Sequence, residues 1–153
     1  MKRLIRIVLF VFCVIVISSC KANTNFYSGI TYEDIAGPSA PDNAEFVREF
    51  KGHGDSWAAV NIVYKKKNDN EFIGKWYVKY IGKEASPTGE ISYNYSAGDD
   101  KGSGAMTFIQ PPDAGIYYMG QLPSRISLPN DDSVIDLQLV WDNAKKSELL
   151  KLM

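Results

Sequence analysis

Gly89–Ala97 reads GEISYNYSA, and its alternation decides the fold. Ile91, Tyr93 and Tyr95 fall on one parity, Glu90, Ser92, Asn94 and Ser96 on the other. Apolar rings on one parity and short polar groups on the other mark a strand with one buried face. The pattern recurs on both sides of this stretch. Val134–Trp141 sets Ile135, Leu137, Leu139 and Trp141 against Asp136 and Gln138. Phe72–Ile81 sets Phe72, Trp76, Val78 and Tyr80 against Lys75, Tyr77 and Lys79. In Trp57–Lys65, WAAVNIVYK, Ala58, Val60, Ile62 and Tyr64 alternate with Ala59, Asn61 and Val63. Ala105–Ile109, Ile116–Leu122 and Glu148–Leu152 are shorter candidates, and Pro123 and Pro129 punctuate a piece around Ile126–Leu128.

Turn chemistry separates these runs. Lys65–Asn70 reads as a hairpin tip, Gly98–Gly104 as a loop forming a flexible hairpin tip, Pro111-Pro112 as a break and Asp142–Lys146 as a turn. The nearest approach to an amphipathic helix is Ala44–Lys51, and it is short. Seven to eight short strands in one block predict an all-β domain over residues 45–153. An antiparallel β-sandwich or small barrel fits that count.

The first twenty residues read MKRLIRIVLFVFCVIVISSC. Lys2, Arg3 and Arg6 precede an unbroken apolar run of 11 residues, Ile7–Ile17. As a helix that run spans roughly 16 Å, too short for the hydrocarbon core of a bilayer. A charged start, a short apolar run and small residues form the secretory pattern, which assigns residues 1–19 to a signal peptide. Ile17-Ser18-Ser19-Cys20 resembles the lipobox of bacterial lipoproteins. That resemblance implies a diacylglyceryl thioether on Cys20, cleavage before it, and a chain held by acyl lipid on the outer face of the cell membrane. One acyl chain binds a membrane marginally, whereas two hold it firmly.

Past the signal peptide the charge is −4, from 14 basic (17 less Lys2, Arg3 and Arg6) and 18 acidic side chains. That balance excludes nucleic acid as a partner bound by bulk charge. The only cysteines are Cys13 and Cys20, so a mature chain carries no disulfide and no thiol nucleophile. Residues 20–44, the lipidated Cys and a stretch rich in Asn, Ser, Gly and Pro, read as a flexible tether. Phe26, Tyr27, Ile30, Tyr32 and Ile35 do not suit a tether; packing on the domain explains them better than a short interaction segment.

The domain also resembles small, uncharacterised lipoproteins of Bacillus-type Gram-positive bacteria. The matching residues are Gly54-Asp55-Ser56-Trp57, Tyr80-Ile81-Gly82, Ile91-Ser92-Tyr93, and Trp141-Asp142 followed by Lys145, Lys146 and Glu148. Asn143 stands where such proteins more often carry Gly. The resemblance implies location and fold, and no catalytic residue comes with it.

No set of residues has the spacing of a catalytic or metal site. His53, the single histidine, sits between two glycines with no Gly-x-Ser-x-Gly nucleophile elbow in the chain, and reads as a solvated loop residue. Asp99-Asp100 and Asp131-Asp132 lack cation-loop spacing and would form a Ca²⁺ site only if their loops met. The Lys65–Lys67 tip suits either solubility or an anionic surface. Neither cofactor nor metal is expected. Parity leaves Lys75, Tyr77 and Lys79 on an outer sheet face, where a ring flanked by ammonium groups suits an acidic peptide or anionic wall polymer. Tyr117 and Tyr118 are adjacent, so one of them must also face outward. The sequence thus reads as a non-catalytic binding or interaction module anchored at the cell envelope through Cys20, with an envelope protein or wall polymer as partner. The alternative is an inhibitor or immunity-type protein acting on an extracellular enzyme.

Overall fold

The structure, a computed structural model, describes residues 25–36, 44–67, 70–125 and 133–153. Among these, eight strands form two antiparallel four-stranded sheets. They are β1 (Ala44–His53), β2 (Trp57–Lys66), β3 (Phe72–Tyr80), β4 (Gly89–Ala97), β5 (Asp100–Phe108), β6 (Ile116–Arg125), β7 (Ile135–Trp141) and β8 (Lys146–Leu152). The first sheet has the order β1-β2-β3-β6 and the second β5-β4-β7-β8. One helix, α1 (Tyr32–Ala36), and one 3₁₀ turn (Asp113–Gly115) complete the described elements.

Strand direction alternates, so the connections gather at two ends. The turns at 54–56, 81–88, 109–115 and 142–145 lie at one end, here the lower. The β2–β3 tip and the Gly98-Asp99 turn lie at the upper end. The sheets join along one side, where Lys51 of β1 exchanges two backbone hydrogen bonds with Met153 just past β8, at 2.9 and 3.1 Å. Gly52 makes that approach possible, because a Cβ there would overlap the carbonyl of Lys151.

The inner faces meet in one core. Trp57, Trp76, Val78, Ile91, Tyr117, Leu137, Leu139 and Leu152 are all buried in it. Rings pack edge to face around Trp57, with Tyr80 at 5.1 Å, Tyr117 at 5.2 Å and Trp141 at 5.7 Å between centroids. Such pairs add roughly 0.5–1.5 kcal/mol each beyond area burial. Asn61 is the one buried polar side chain among the described residues, and its Nδ2 donates to the Lys75 carbonyl at 3.3 Å.

Ala44–Lys51, the nearest approach to a helix in the sequence and too short to be read as one, belongs to strand β1, paired with β2. Two expectations about the strands need correction. The Gly98–Gly104 hairpin tip is much shorter than the loop expected. Only Gly98 and Asp99 turn, and Asp100–Gly104 is the first half of β5, in register with β4. Tyr95 pairs with Gly102 and Tyr93 with Gly104, and the two rings lie across the glycines. A Cβ at Gly102 would sit 2.5 Å from the Tyr95 ring, and one at Gly104 2.7 Å from the Tyr93 ring. The glycines are therefore seats for rings, and a Gly-x-Gly run opposite a Tyr-x-Tyr run is a strand pair. Likewise, the Ile116–Leu122 strand runs on to Arg125 through Pro123, which an edge strand tolerates. Ile126–Leu128 and Asp131-Asp132 lie outside the described residues.

Residues 26–32, within the stretch that reads as a tether, lie packed on the outer face of the first sheet. Ile30 is 0% exposed and meets Ala58, Val60, Ile62 and Tyr64. Phe26, Tyr27 and Tyr32 pack around the same cluster. The packing alternative for these side chains is therefore the observed one, and the Ile35 side chain lies outside the described set.

Candidate functional site

The outer face of the first sheet carries the predicted binding residues. Trp76 and Val78 point into the core, so Lys75, Tyr77 and Lys79 project from the opposite face, as parity requires. Across the β3–β6 pairing, Tyr117 is fully buried in the core and Tyr118 is 41% exposed. Tyr118 and Tyr77 lie 5.1 Å apart between ring centroids, which makes one two-ring platform on the outside of the sheet. Lys75 reaches the other way, with its Nζ 5.6 Å from the centroid of Tyr64.

The N-terminal segment covers part of this face and holds it by polar contacts as well as by Ile30. Lys79 Nζ donates to the Ser28 carbonyl at 2.7 Å. The Tyr32 amide donates to the Glu49 carboxylate, and Glu49 also pairs with Lys51. Asp34 folds the segment on itself, accepting from the Thr31 hydroxyl at 2.7 Å and the Gly29 amide at 2.8 Å. These bonds, the Thr31 hydroxyl first, hold the Asp34 carboxyl below its ordinary pKa. Burial pushes the Tyr77 hydroxyl up, with Lys75 opposing and Tyr118 reinforcing. Tyr77 is thus a neutral, half-covered ring. Of the three residues read as a binding face, Lys79 is occupied by this chain's own backbone, while Tyr77 and Lys75 share an aromatic patch with Tyr118 and Tyr64. The contribution of Tyr118 was legible only as one of two adjacent tyrosines. Its pairing with Tyr77 depends on the β3–β6 register, which includes a shift between Trp76 and Tyr77.

A second feature lies at the lower end. Glu148 on β8 turns its carboxylate into the β1–β2 turn, accepting from the Asp55 amide at 2.6 Å and the Ser56 amide at 3.2 Å. Gly54-Asp55-Ser56, Trp141 and the Lys/Glu strand, far apart in sequence, therefore meet at one corner. An open cleft of about 260 Å³ lies beside it, lined by Tyr80, Glu84, Ser86, Trp141, Asp142 and Lys146. Lys146 donates to Glu84 at 2.6 Å across its mouth, and that bond pushes the Lys146 ammonium up. The ion pair joins two of the three charged groups that line the cleft, Asp142 being the third. In the adjoining turn, Asp142, Asn143 and Ala144 all adopt positive φ, between 54° and 62°. Asn is among the residues that best tolerate this conformation, so Asn143 can stand where Gly is the usual solution.

No protein-family profile matches this chain, and no curated protein or solved structure matches it either. What the molecule does must therefore be argued from its own surfaces. His53 ends β1 exposed, with its ring 4.4 Å from that of Phe26, and so packs on the N-terminal segment. Among the described residues no three His, Cys, Asp or Glu side chains converge as a metal site, and no helix is long and apolar enough to cross a membrane.

Proposed function

We propose that the protein is a lipid-anchored envelope module that works by contact, without catalysis, on the extracytoplasmic side of the cell membrane. The observation that carries the reading is Ile17-Ser18-Ser19-Cys20 after a charged, apolar leader. The segment 26–32 is seated on the domain through Phe26, Ile30 and Tyr32, which suits a chain held at its N-terminus. The surface offered to a partner is the Tyr77–Tyr118 platform, on the same face as Lys75, whose Nζ lies over Tyr64. Two adjacent tilted rings on a face that also carries an ammonium group suit an acidic peptide or an anionic wall polymer through face contact and charge.

The anchor is tested by mass. Wild-type protein from bacterial membranes should begin at Cys20 and carry the added acyl mass. Cys20→Ala should leave the leader uncleaved at this site and incorporate no labelled fatty acid. An unmodified wild-type chain retaining residues 1–19 overturns the reading.

A further inference from the structure

Ile109 is 97% exposed, the most exposed large apolar side chain among the described residues. It stands at the lower end, where β5 gives way to Gln110-Pro111-Pro112, a tip without charge. Exposed single isoleucines are common and need no explanation by themselves. This one gains meaning from where the chain enters the domain. The first described residues, Asn25 and Phe26, lie at the same lower end, because the Phe26 ring packs against His53 at the bottom of β1. From there the segment climbs the outer face, past Lys79 at Ser28 to Glu49 at Tyr32.

Covalent geometry then sets a short leash. Only Lys21, Ala22, Asn23 and Thr24 separate Cys20 from Asn25. Five Cα steps span at most about 18 Å. With the anchor at Cys20, the point where the chain enters the domain stays within about 18 Å of the lipid surface, which keeps the lower-end turns within reach of the lipid.

We propose that the lower end of the sandwich docks on the bilayer that holds the Cys20 anchor, with Ile109 entering the interfacial layer. The proposal rests on the lipid-anchor reading. Bare aliphatic surface neighbours the tip at Pro111 and Ala114, both exposed. The charges of this end are mixed: Lys83, Lys145 and Lys146 against Asp55, Glu84, Asp113 and Asp142. Attraction to anionic lipid therefore does not drive the contact, which separates it from docking by basic patches. A single isoleucine is far too little to hold a free protein on lipid; it acts here because the anchor supplies the local concentration. Docking fixes the orientation of the domain and turns the upper end toward the wall.

The test uses the full mature chain, whose lipidated Cys20 leaves no free thiol. Gln110→Cys and, separately, Asp99→Cys receive an environment-sensitive fluorophore, and each protein is reconstituted in phosphatidylcholine vesicles with spin-labelled acyl chains. Mass spectrometry of the same samples reports the acyl groups. The probe at residue 110 should shift to shorter wavelength and be quenched, while the probe at 99 stays water-like. Adding Ile109→Asp should return the 110 probe toward the water-like value, and replacing a third of the lipid by phosphatidylglycerol should change neither reading. An acylated protein whose 110 probe matches the 99 probe overturns the docking and leaves the anchor standing. A 110 probe that stays quenched in Ile109→Asp overturns the role of Ile109. A chain with no acyl mass overturns both, since the leash then disappears.

Discussion

β2 and β4 are central strands of the two sheets, yet they are buried differently. In β2 every residue from Trp57 to Tyr64 is buried; in β4 only Ile91, Tyr93 and Tyr95 are. Their sequences say as much. GEISYNYSA alternates cleanly, whereas WAAVNIVY is apolar at all but one position. One-faced burial asks for polar groups on alternate positions, and two-faced burial asks for apolar groups on both. A strand of the second kind must be covered twice. The other sheet covers the Trp57, Ala59 and Val63 side, and residues 26–32 cover the Ala58, Val60, Ile62 and Tyr64 side. The outer face of the first sheet is thus a second, smaller core, closed by the chain's own N-terminal segment.

The sharpest way to break this comparison is to truncate the two outer faces. Ile62→Ala should cost about 2–5 kcal/mol, because it hollows a closed cluster. Asn94→Ala, the matching outward position on β4, should change stability by less than about 0.5 kcal/mol. Urea denaturation of both variants reads the difference. Equal, small effects would show that nothing covers the face.

Ile30→Asp attacks the cover itself. A carboxylate where Ile30 now sits must leave the cluster, so residues 25–36 should become the first site of limited proteolysis while the core around Trp57 persists. Loss of roughly 2–4 kcal/mol is expected, from the apolar burial forfeited by Ile30 and the rings around it. Unaltered protease resistance in this segment would count against the assignment.

Gly104→Ala should cost roughly 1 kcal/mol. Displacing the Tyr93 ring is offset in part by the better strand propensity of alanine. The matched change Ser103→Ala, on the exposed parity of β5, should be neutral; a thermal melt that ranks the two the other way removes the ring-seat account.

The smallest effect is on pH. The Asp34 carboxyl is held below its ordinary pKa by Thr31 and Gly29. Its contribution is therefore present above the unfolded value and lost as pH falls through the folded one. Asp34 is exposed, and solvent screening keeps the effect small. Hydrogen exchange of the Gly29 and Thr31 amides should quicken below the ordinary carboxylate range relative to neighbouring amides, and Asp34→Asn should abolish that acid dependence. An acid response that survives in the variant assigns it elsewhere.

Much of this molecule was legible in its sequence. Period-two alternation names β3, β4 and β7 and assigns their inner faces, because side chains on a strand have only two directions to take. Adjacent Tyr117 and Tyr118 had to split between core and surface for the same reason. The Ile17-Ser18-Ser19-Cys20 pattern that motivates the proposed anchor is likewise read from the linear sequence. Other features depend on which strands become neighbours, and parity does not encode that. Gly102 and Gly104 look like a loop until the register sets them opposite Tyr95 and Tyr93. Gly54-Asp55-Ser56 has no visible purpose until β8 brings Glu148 to its amides. Lys79 reads as a free cation until the N-terminal segment places a carbonyl on it. A strand's own pattern fixes how many of its faces are buried; what buries the second face is decided by segments distant in the chain, through contacts whose free energy exists only once the sheets have formed.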